Sequence, residues 1–318
     1  MPLLLSQYKP TLPFRNGHFA TVYSSKLRPI PILVQERERL LLEDGDFLDI
    51  DWSFSKSASK RLAILLHGLE GNAQRPYIKG QGNILQKNNW DIAAINFRGC
   101  SGEPNLLYQS YNAGKTDDLE AVINYVLEKN KYSEIALIGF SLGGNLLLKY
   151  LGERHEFPEE IKKAVAISTP LCLKGSLHSL EHFHNWIYRK TFLTKMRKKF
   201  KVKMNNFPKE MSVSNYNKIN SLFEFDNIYT APAHGFKDAF DYYKKNSSLQ
   251  FLPNIHIPIY ILNAENDSFL SPKCYPRQLA SKMKNLNLEI PKYGGHVGFY
   301  KTNKVYYSEA RVLEFLET

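Results

Sequence analysis

Short apolar runs alternate with longer stretches of helical periodicity along most of the chain. The first ordered pattern is a pair of strands at 37–42 and 47–54 around the turn Glu43-Asp44-Gly45-Asp46. In the second, Leu48, Ile50, Trp52 and Phe54 alternate with Asp49, Asp51 and Ser53, the period of a strand with two unlike faces. Strands are then predicted at 62–66, 92–95, 135–138, 164–167, 257–262 and 286–290. Helices are predicted near 76–87, 117–129, 142–152, 236–245, 275–284 and 304–317. Residues 1–36 read as irregular, because Pro2, Pro10, Pro13, Pro29 and Pro31 interrupt any long helix.

Alternating strands and helices imply an α/β fold, a mostly parallel, doubly wound sheet with helices on both faces. The N-terminal antiparallel pair would supply edge strands. Residues 170–235 lack strands and are too long for a connecting loop, so they read as an inserted helical cap. The whole, 1–318, reads as one domain. Its composition, 43% hydrophobic and 23% charged over 318 residues, excludes a disordered or collagen-like chain. No apolar run reaches the roughly 18–20 residues of a membrane-spanning helix. Met1-Pro2-Leu3-Leu4-Leu5 lacks the basic start and long apolar core of a signal peptide, so a cytoplasmic protein is expected. Cys100, Cys172 and Cys274 are odd in number and widely spaced, which argues for free thiols.

Charge adds one feature. The net charge is +11, and residues 189–203 supply eight basic residues with no acidic one. Along that stretch, from the residue just before it, Tyr188, Phe192, Met196 and Phe200 recur every fourth position, the pattern of a basic amphipathic helix. Its apolar stripe could cover a core, the commoner use of such helices, or make a transient contact with an anionic membrane surface. No helix-turn-helix, RNA-binding or zinc-finger pattern accompanies the charge, so nucleic acid is not an expected partner.

The chemistry concentrates in Ile135-Ala-Leu-Ile-Gly-Phe-Ser-Leu-Gly-Gly-Asn145. Gly139-Phe140-Ser141-Leu142-Gly143 is a G-x-S-x-G between an apolar strand and a helix, where small neighbours let a serine occupy a strained turn. A serine hydroxyl needs a base, and the base an orienting acid. Asp267 and Glu265 follow the strand at 257–262, and His296 follows the last strand, between glycines. Oxyanion donors are expected from the backbone N–H of Leu142 and of Leu69, in the loop His67-Gly68-Leu69-Glu70-Gly71.

These segments resemble the α/β-hydrolase superfamily, and within it the YheT-like branch. That branch holds bacterial proteins classed as esterases and eukaryotic relatives acting on phospholipids and other acyl lipids. Matching segments are Asn16-Gly17-His18 with Thr21, His67–Gly71, Asn96-Phe97-Arg98-Gly99-Cys100, Tyr111-Asn112-Ala113-Gly114 with Asp117-Asp118, and Gly139–Asn145. Further on are Phe225-Asp226 with Thr230-Ala231-Pro232, His234-Gly235-Phe236, Asp241-Tyr242-Tyr243, Asn266-Asp267 with Phe269, and Gly294–Phe299. The resemblance implies a triad of Ser141, Asp267 and His296, and favours Asp267 over Glu265. The family's acid segment carries a proline where this chain has Ser268. It also implies a bacterial-type form without the membrane anchor of the eukaryotic relatives, cleaving small-molecule carboxylic esters without cofactor or metal. Acyl transfer with the same residues, or membrane-surface binding through the basic helix, are the alternatives.

Among other residues, Asp117 and Asp118 are expected to cap a helix and Arg98 to form a structural ion pair. His178 and His182 have the i,i+4 spacing of a metal pair, but no glutamate base motif accompanies them.

Overall fold

The computed structural model describes residues 3–154, 156–302 and 305–318. Its single sheet has nine strands: β1 (Leu3–Leu4), β2 (Glu36–Leu41), β3 (Phe47–Ser53), β4 (Arg61–Leu66), β5 (Asp91–Asn96), β6 (Glu134–Phe140), β7 (Ile161–Ile167), β8 (Ile259–Leu262) and β9 (Leu286–Glu289). They lie in the order β1-β9-β8-β7-β6-β4-β5-β3-β2. β3 pairs antiparallel with β2 and β5, and all other pairings are parallel. The expected α/β architecture is therefore present, with β2 at one edge and β3 inside it.

The alternation in β3 does not give that strand a wet face, since every residue from Phe47 to Ser53 is buried. Arg37 of β2 stands opposite Asp51 and Arg39 opposite Asp49, and each guanidinium pairs bidentately with its carboxylate. Cross-strand ion pairs thus satisfy the buried acids.

The helices within the described residues begin with α1 (Gly17–Val22), α2 (Pro76–Lys87), α3 (Thr116–Glu128) and α4 (Leu142–Glu153). Between β7 and β8 lie α5 (Leu173–Glu181), α6 (Trp186–Met204), α7 (Val213–Lys218), α8 (Leu222–Phe225), α9 (Ala231–Ala233) and α10 (Ala239–Asn246). α11 (Arg277–Ala280) and α12 (Tyr307–Glu317) complete the set. Ile78, Leu85, Val312 and Leu316 of α2 and α12 pack on one sheet face. Leu119, Val122, Leu146 and Tyr242 of α3, α4 and α10 pack on the other.

Three expectations are revised. Residues 1–36 are not wholly irregular: β1 extends the sheet beside β9, and α1 starts where the Asn16 side chain accepts the Phe19 N–H at 2.9 Å. The helix expected at 275–284 is a single turn, because Asn285 is drawn back to the carbonyls of Ile255 and Ile257 ahead of β9. The C-terminal helix starts at Tyr307 rather than 304; Asn303 and Lys304 lie outside the described residues.

The stripe on α6 turns inward. Met196 and Phe200 are buried in a separate apolar cluster with Met211, Ile219, Leu222 and Phe225. Two lysines follow them in. Lys199 Nζ meets Glu70 at 3.0 Å, and Lys203 Nζ donates to the carbonyls of Leu107, Tyr108 and Gln109. Burial pushes Lys203 down to about 7. The helix is thus anchored to the body through both its apolar residues and two of its cations.

Candidate active site

Parallel pairing in register brings the carboxyl ends of β4, β6, β7, β8 and β9 to one edge of the sheet. Leu66 pairs with Gly139, Phe140 with Ile167, Ile167 with Leu262, and Leu262 with Glu289. The loops that follow these ends are the ones carrying the candidate residues, where ligands commonly bind in open α/β sheets.

Ser141 occupies the turn from β6 into α4 with φ 53° and ψ −119°, a conformation costing about 1–3 kcal/mol for a non-glycine residue. Its neighbours must be glycine for steric reasons. A Cβ on Gly139 would fall 2.5 Å from the Gly143 carbonyl group, and one on Gly143 would fall 2.5 Å from the Leu66 oxygen. The Ser141 N–H still bonds the Ile167 carbonyl at 2.8 Å, so the turn is tied to the sheet.

His296 follows β9 in a loop with left-handed backbone at Gly294, Gly295 and Val297. Its Nδ1 lies 2.8 Å from Asp267 Oδ2. Asp267 is buried, and its other oxygen accepts the Phe269 N–H at 2.9 Å. A carboxylate held this way takes the Nδ1–H of a neutral imidazole and leaves Nε2 free to accept a proton. The Phe269 ring stacks on His296 at 4.2 Å between centroids, restricting its rotation. Glu265, the other candidate acid, is exposed and pairs instead with Arg277 at 3.0 Å.

The loop after β4 has a specific pattern of used and unused donors. The Gly68 N–H is taken by the Tyr77 hydroxyl at 3.1 Å, and the Glu70 N–H by the Tyr111 hydroxyl at 3.0 Å. Between them, the Leu69 N–H has no partner among the described residues, nor has that of Leu142 at the first position of α4. His67 braces the loop: its Nδ1–H donates to the Gly68 carbonyl at 2.7 Å and its Nε2 accepts from Phe97. Burial lowers His67 to about 3, so this imidazole is neutral and structural. Glu70 has φ 54°, and its carboxylate meets Tyr111 at 2.8 Å and Lys199 at 3.0 Å.

Two cavities meet at Ser141 and His296. One, of about 120 Å3, is largely apolar, with Leu142, Leu173, Leu177, Met196 and Phe269 in its wall and Asp226 among its few polar groups. The other, of about 130 Å3, is lined by Thr21, Ser24, Ser25, Arg75 and Tyr188. Burial raises Asp226 to about 6 against the opposing bond from Tyr243.

Some contributors carry no chemistry visible in sequence. Thr21 Oγ1 accepts the His296 N–H at 2.8 Å and donates to the Gly17 carbonyl at 2.7 Å, so α1 is a brace for the histidine loop. Gly17 is needed because a Cβ there would lie 2.3 Å from the Asn266 carbonyl oxygen. Asn266 accepts the Gly295 N–H, and Ser168 Oγ accepts that of Val297. Thr21 and Tyr111 stood in matched segments without a role, and nothing in the sequence marked Tyr77 or Ser168.

The remaining candidates have structural partners. Arg98 is buried and pairs with Asp118 at 2.7 Å, Asp44 at 2.8 Å and Asp46 at 3.2 Å. Asp118 is thus a partner of Arg98, and neither it nor Asp117 caps α3, whose N-cap residue is Lys115. The His178 and His182 rings lie 5.1 Å apart, and no group of three or more metal-binding side chains is present among the described residues. All three cysteines are free; burial raises Cys100 to about 11. No helix among the described residues is long and apolar enough to cross a membrane.

Residues 63–301 match the family model for the alpha/beta hydrolase fold. The chain is 29% identical to "Putative esterase YheT" of Escherichia coli (strain K12), over 98% of this chain and 94% of that one. It is 27% identical to "Phospholipase ABHD3" of Bos taurus and 25% identical to "Monoacylglycerol lipase ABHD2" of Homo sapiens. Each alignment spans 94% of this chain, and 74% and 76% of the respective relatives. Among solved structures, the Pyrococcus furiosus esterase PF2001 superposes with a TM-score of 0.59 at 18% identity, over 90% of this chain and 91% of that one. The sheet order, the serine turn and these matches lead to one assignment: the chain belongs to the alpha/beta hydrolase fold family and is YheT-like over nearly its whole length.

Proposed function

We propose that the protein is a serine hydrolase of carboxylic esters with acyl or lipid-like chains. The observation that carries this reading is the His296–Asp267 pair opening onto the same two cavities as the serine of a strained strand-to-helix turn. Ser141 Oγ attacks the ester carbonyl while His296 Nε2 takes its proton. Asp267 holds the imidazole in the required tautomer and stabilises its cation. The N–H groups of Leu69 and Leu142 receive the oxyanion. Collapse of the tetrahedral intermediate expels the alcohol, which takes its proton from His296. Water, deprotonated by His296, then releases the acid from the acyl-enzyme.

The apolar cavity suits the acyl chain. The helical segment 170–235 acts as its cap, since Leu173, Leu177, Met196 and Leu222 line that wall. Contact between residues 189–203 and an anionic membrane would be made by outward basic side chains and the exposed Val202, because Met196 and Phe200 are buried.

Labelling with a fluorophosphonate probe, alongside a p-nitrophenyl ester chain-length series, tests the reading. Labelling and turnover should vanish in Ser141→Ala, and turnover in His296→Ala and Asp267→Asn should fall by on the order of 10³–10⁴. Labelling that persists in Ser141→Ala, or turnover that survives His296→Ala unchanged, would overturn the assignment.

A further inference from the structure

The cavity lined by Thr21, Ser24 and Ser25 at Ser141 continues into a larger groove of about 360 Å3, the two sharing Gly71 and Arg75. Most charges in this groove have partners. Lys199 is held by Glu70, Lys203 by three carbonyls, Arg98 by three aspartates, and Glu103 by Arg39. Arg75, Lys195 and the exposed Lys198 do not. Arg75 donates one bond, from Nη2 to the Glu70 carbonyl at 2.8 Å, and has no acidic partner among the described residues. Lys195 is half-buried on the cap helix α6, and no hydrogen bond or ion pair to it is present among those residues.

These cations repel one another. The Lys195 ammonium is disfavoured first by its burial, then by Arg75 and Lys26, with Lys199 adding to the repulsion and Glu70 opposing it. Glu70 is already engaged by Lys199 and Tyr111. Arg75 and Lys195 therefore line the groove, beside the mouth that leads to the serine, with no ion-pair partner of their own among the described residues. Such a grouping is relieved by a bound anion.

We propose that Arg75 and Lys195 form a subsite for a phosphate group carried by the leaving alcohol of the ester substrate. The proposal rests on Ser141 being the acylated nucleophile. The cavity of Leu173 and Leu177 then takes the acyl chain, and the alcohol lies in the other cavity beside Ser24 and Ser25 with its anion against Arg75. Phosphate suits the site better than carboxylate. A phosphate monoester brings up to two negative charges and three terminal oxygens to a guanidinium and an ammonium, where a carboxylate brings one charge and two oxygens. α6 spans from the acyl cavity, through Phe192 and Met196, to the anion groove, through Lys195 and Lys198. One helix thereby reads both halves of the substrate.

The test uses the full chain and two esters of one acyl group, 1-octanoylglycerol and 1-octanoylglycerol 3-phosphate. The expected result is a kcat/KM for the phosphorylated ester about tenfold or more above the neutral one, carried by KM, as a charge-assisted contact in a half-buried site should give. Lys195→Gln should cut that ratio roughly tenfold and Lys195→Glu should cut it further. Lys201→Gln, on the same helix but outside the groove, should leave the ratio intact. Equal kcat/KM for the two esters, or a ratio unmoved by Lys195→Glu, overturns the subsite while leaving the hydrolase reading in place. If a ratio unmoved by Lys195→Glu coincides with loss of phosphatidylglycerol vesicle binding in that variant, the cations serve a membrane instead. Failure of both esters and of fluorophosphonate labelling is failure of the hydrolase reading. Calorimetry with glycerol 3-phosphate still decides the site in that case: binding lost in Lys195→Glu supports it, and no binding overturns it. Inorganic phosphate binding as tightly as glycerol 3-phosphate would assign a free-anion site and overturn the leaving-group role.

Discussion

Replacing Thr21 by valine removes one hydroxyl and almost no volume, so its effect can be traced to two hydrogen bonds. Thr21 is 7% exposed; its Oγ1 accepts the His296 N–H at 2.8 Å and donates to the Gly17 carbonyl at 2.7 Å. Valine leaves the His296 N–H without a partner and removes the side-chain donor to the Gly17 carbonyl. An orphaned buried polar group costs about 1–3 kcal/mol, and the carbonyl retains the Thr21 turn of its own helix, so we expect a loss of about 2 kcal/mol. At the roughly 2–4 °C per kcal/mol usual for domains somewhat smaller than this one, that lowers Tm by about 4 °C. The kinetic effect should be separate. The Asp267–His296 pair remains, but the backbone that aims the imidazole is released on one side, and small misplacements in a catalytic array can reduce rates by as much as about 10². We expect kcat toward a p-nitrophenyl ester to fall about tenfold at nearly constant KM. Thr21→Ser keeps the hydroxyl and should recover kcat, although it loses a methyl group. Urea denaturation and steady-state kinetics on the three proteins suffice. Wild-type kcat in Thr21→Val, or equal kinetic losses in the serine and valine variants, would refute a role for α1 in positioning His296.

Two further outcomes follow from buried charges. Burial raises Asp226 to about 6 from the ordinary 3.8, so the folded state holds its proton more tightly than the unfolded one. That penalty on the ionised form is absent below about pH 4, grows through pH 4–6 and is full above about 6. Asp226→Asn should therefore gain up to about 2 kcal/mol at pH 7 and almost nothing at pH 4, read from urea midpoints at the two values; an equal gain at both would contradict it. Arg98→Met strands Asp46 and Asp118, both nearly inaccessible, and should lose about 3 kcal/mol in the same assay. A loss below about 1 kcal/mol would mean that Asn105 and the backbone donors at Leu106 and Phe47 satisfy Asp46 unaided.

Much of the site was readable because local geometry and local composition coincide there. A turn that forces a serine to φ 53° between backbones 2.5 Å from a hypothetical Cβ admits few sequences other than G-x-S-x-G. Leu69 was legible only as a position in a loop. What makes its N–H the free one is that Tyr77 and Tyr111, 8 and 42 residues away in sequence, occupy the amides on either side. Thr21 lies 275 residues from His296, and no short-range pattern encodes that contact. The helix at 275–284 was overread because helical residues continue past the point where Asn285 turns the chain into β9.

The alternation of apolar runs and amphipathic helices determined the α/β class, the order of most elements and the three loops that carry Ser141, Asp267 and His296. These are consequences of periodicity and of backbone sterics, which act over a few residues. Tertiary structure decided what periodicity cannot distinguish. It buried Asp267 against His296 and left Glu265 exposed, paired with Arg277. It turned Met196 and Phe200 inward and carried Lys199 and Lys203 with them. It also gathered Arg75 and Lys195 beside the mouth of the site with no ion-pair partner among the described residues. Hydrophobic burial fixes which stripe faces the core, but the partner of a charge depends on chain segments that meet only in the folded protein.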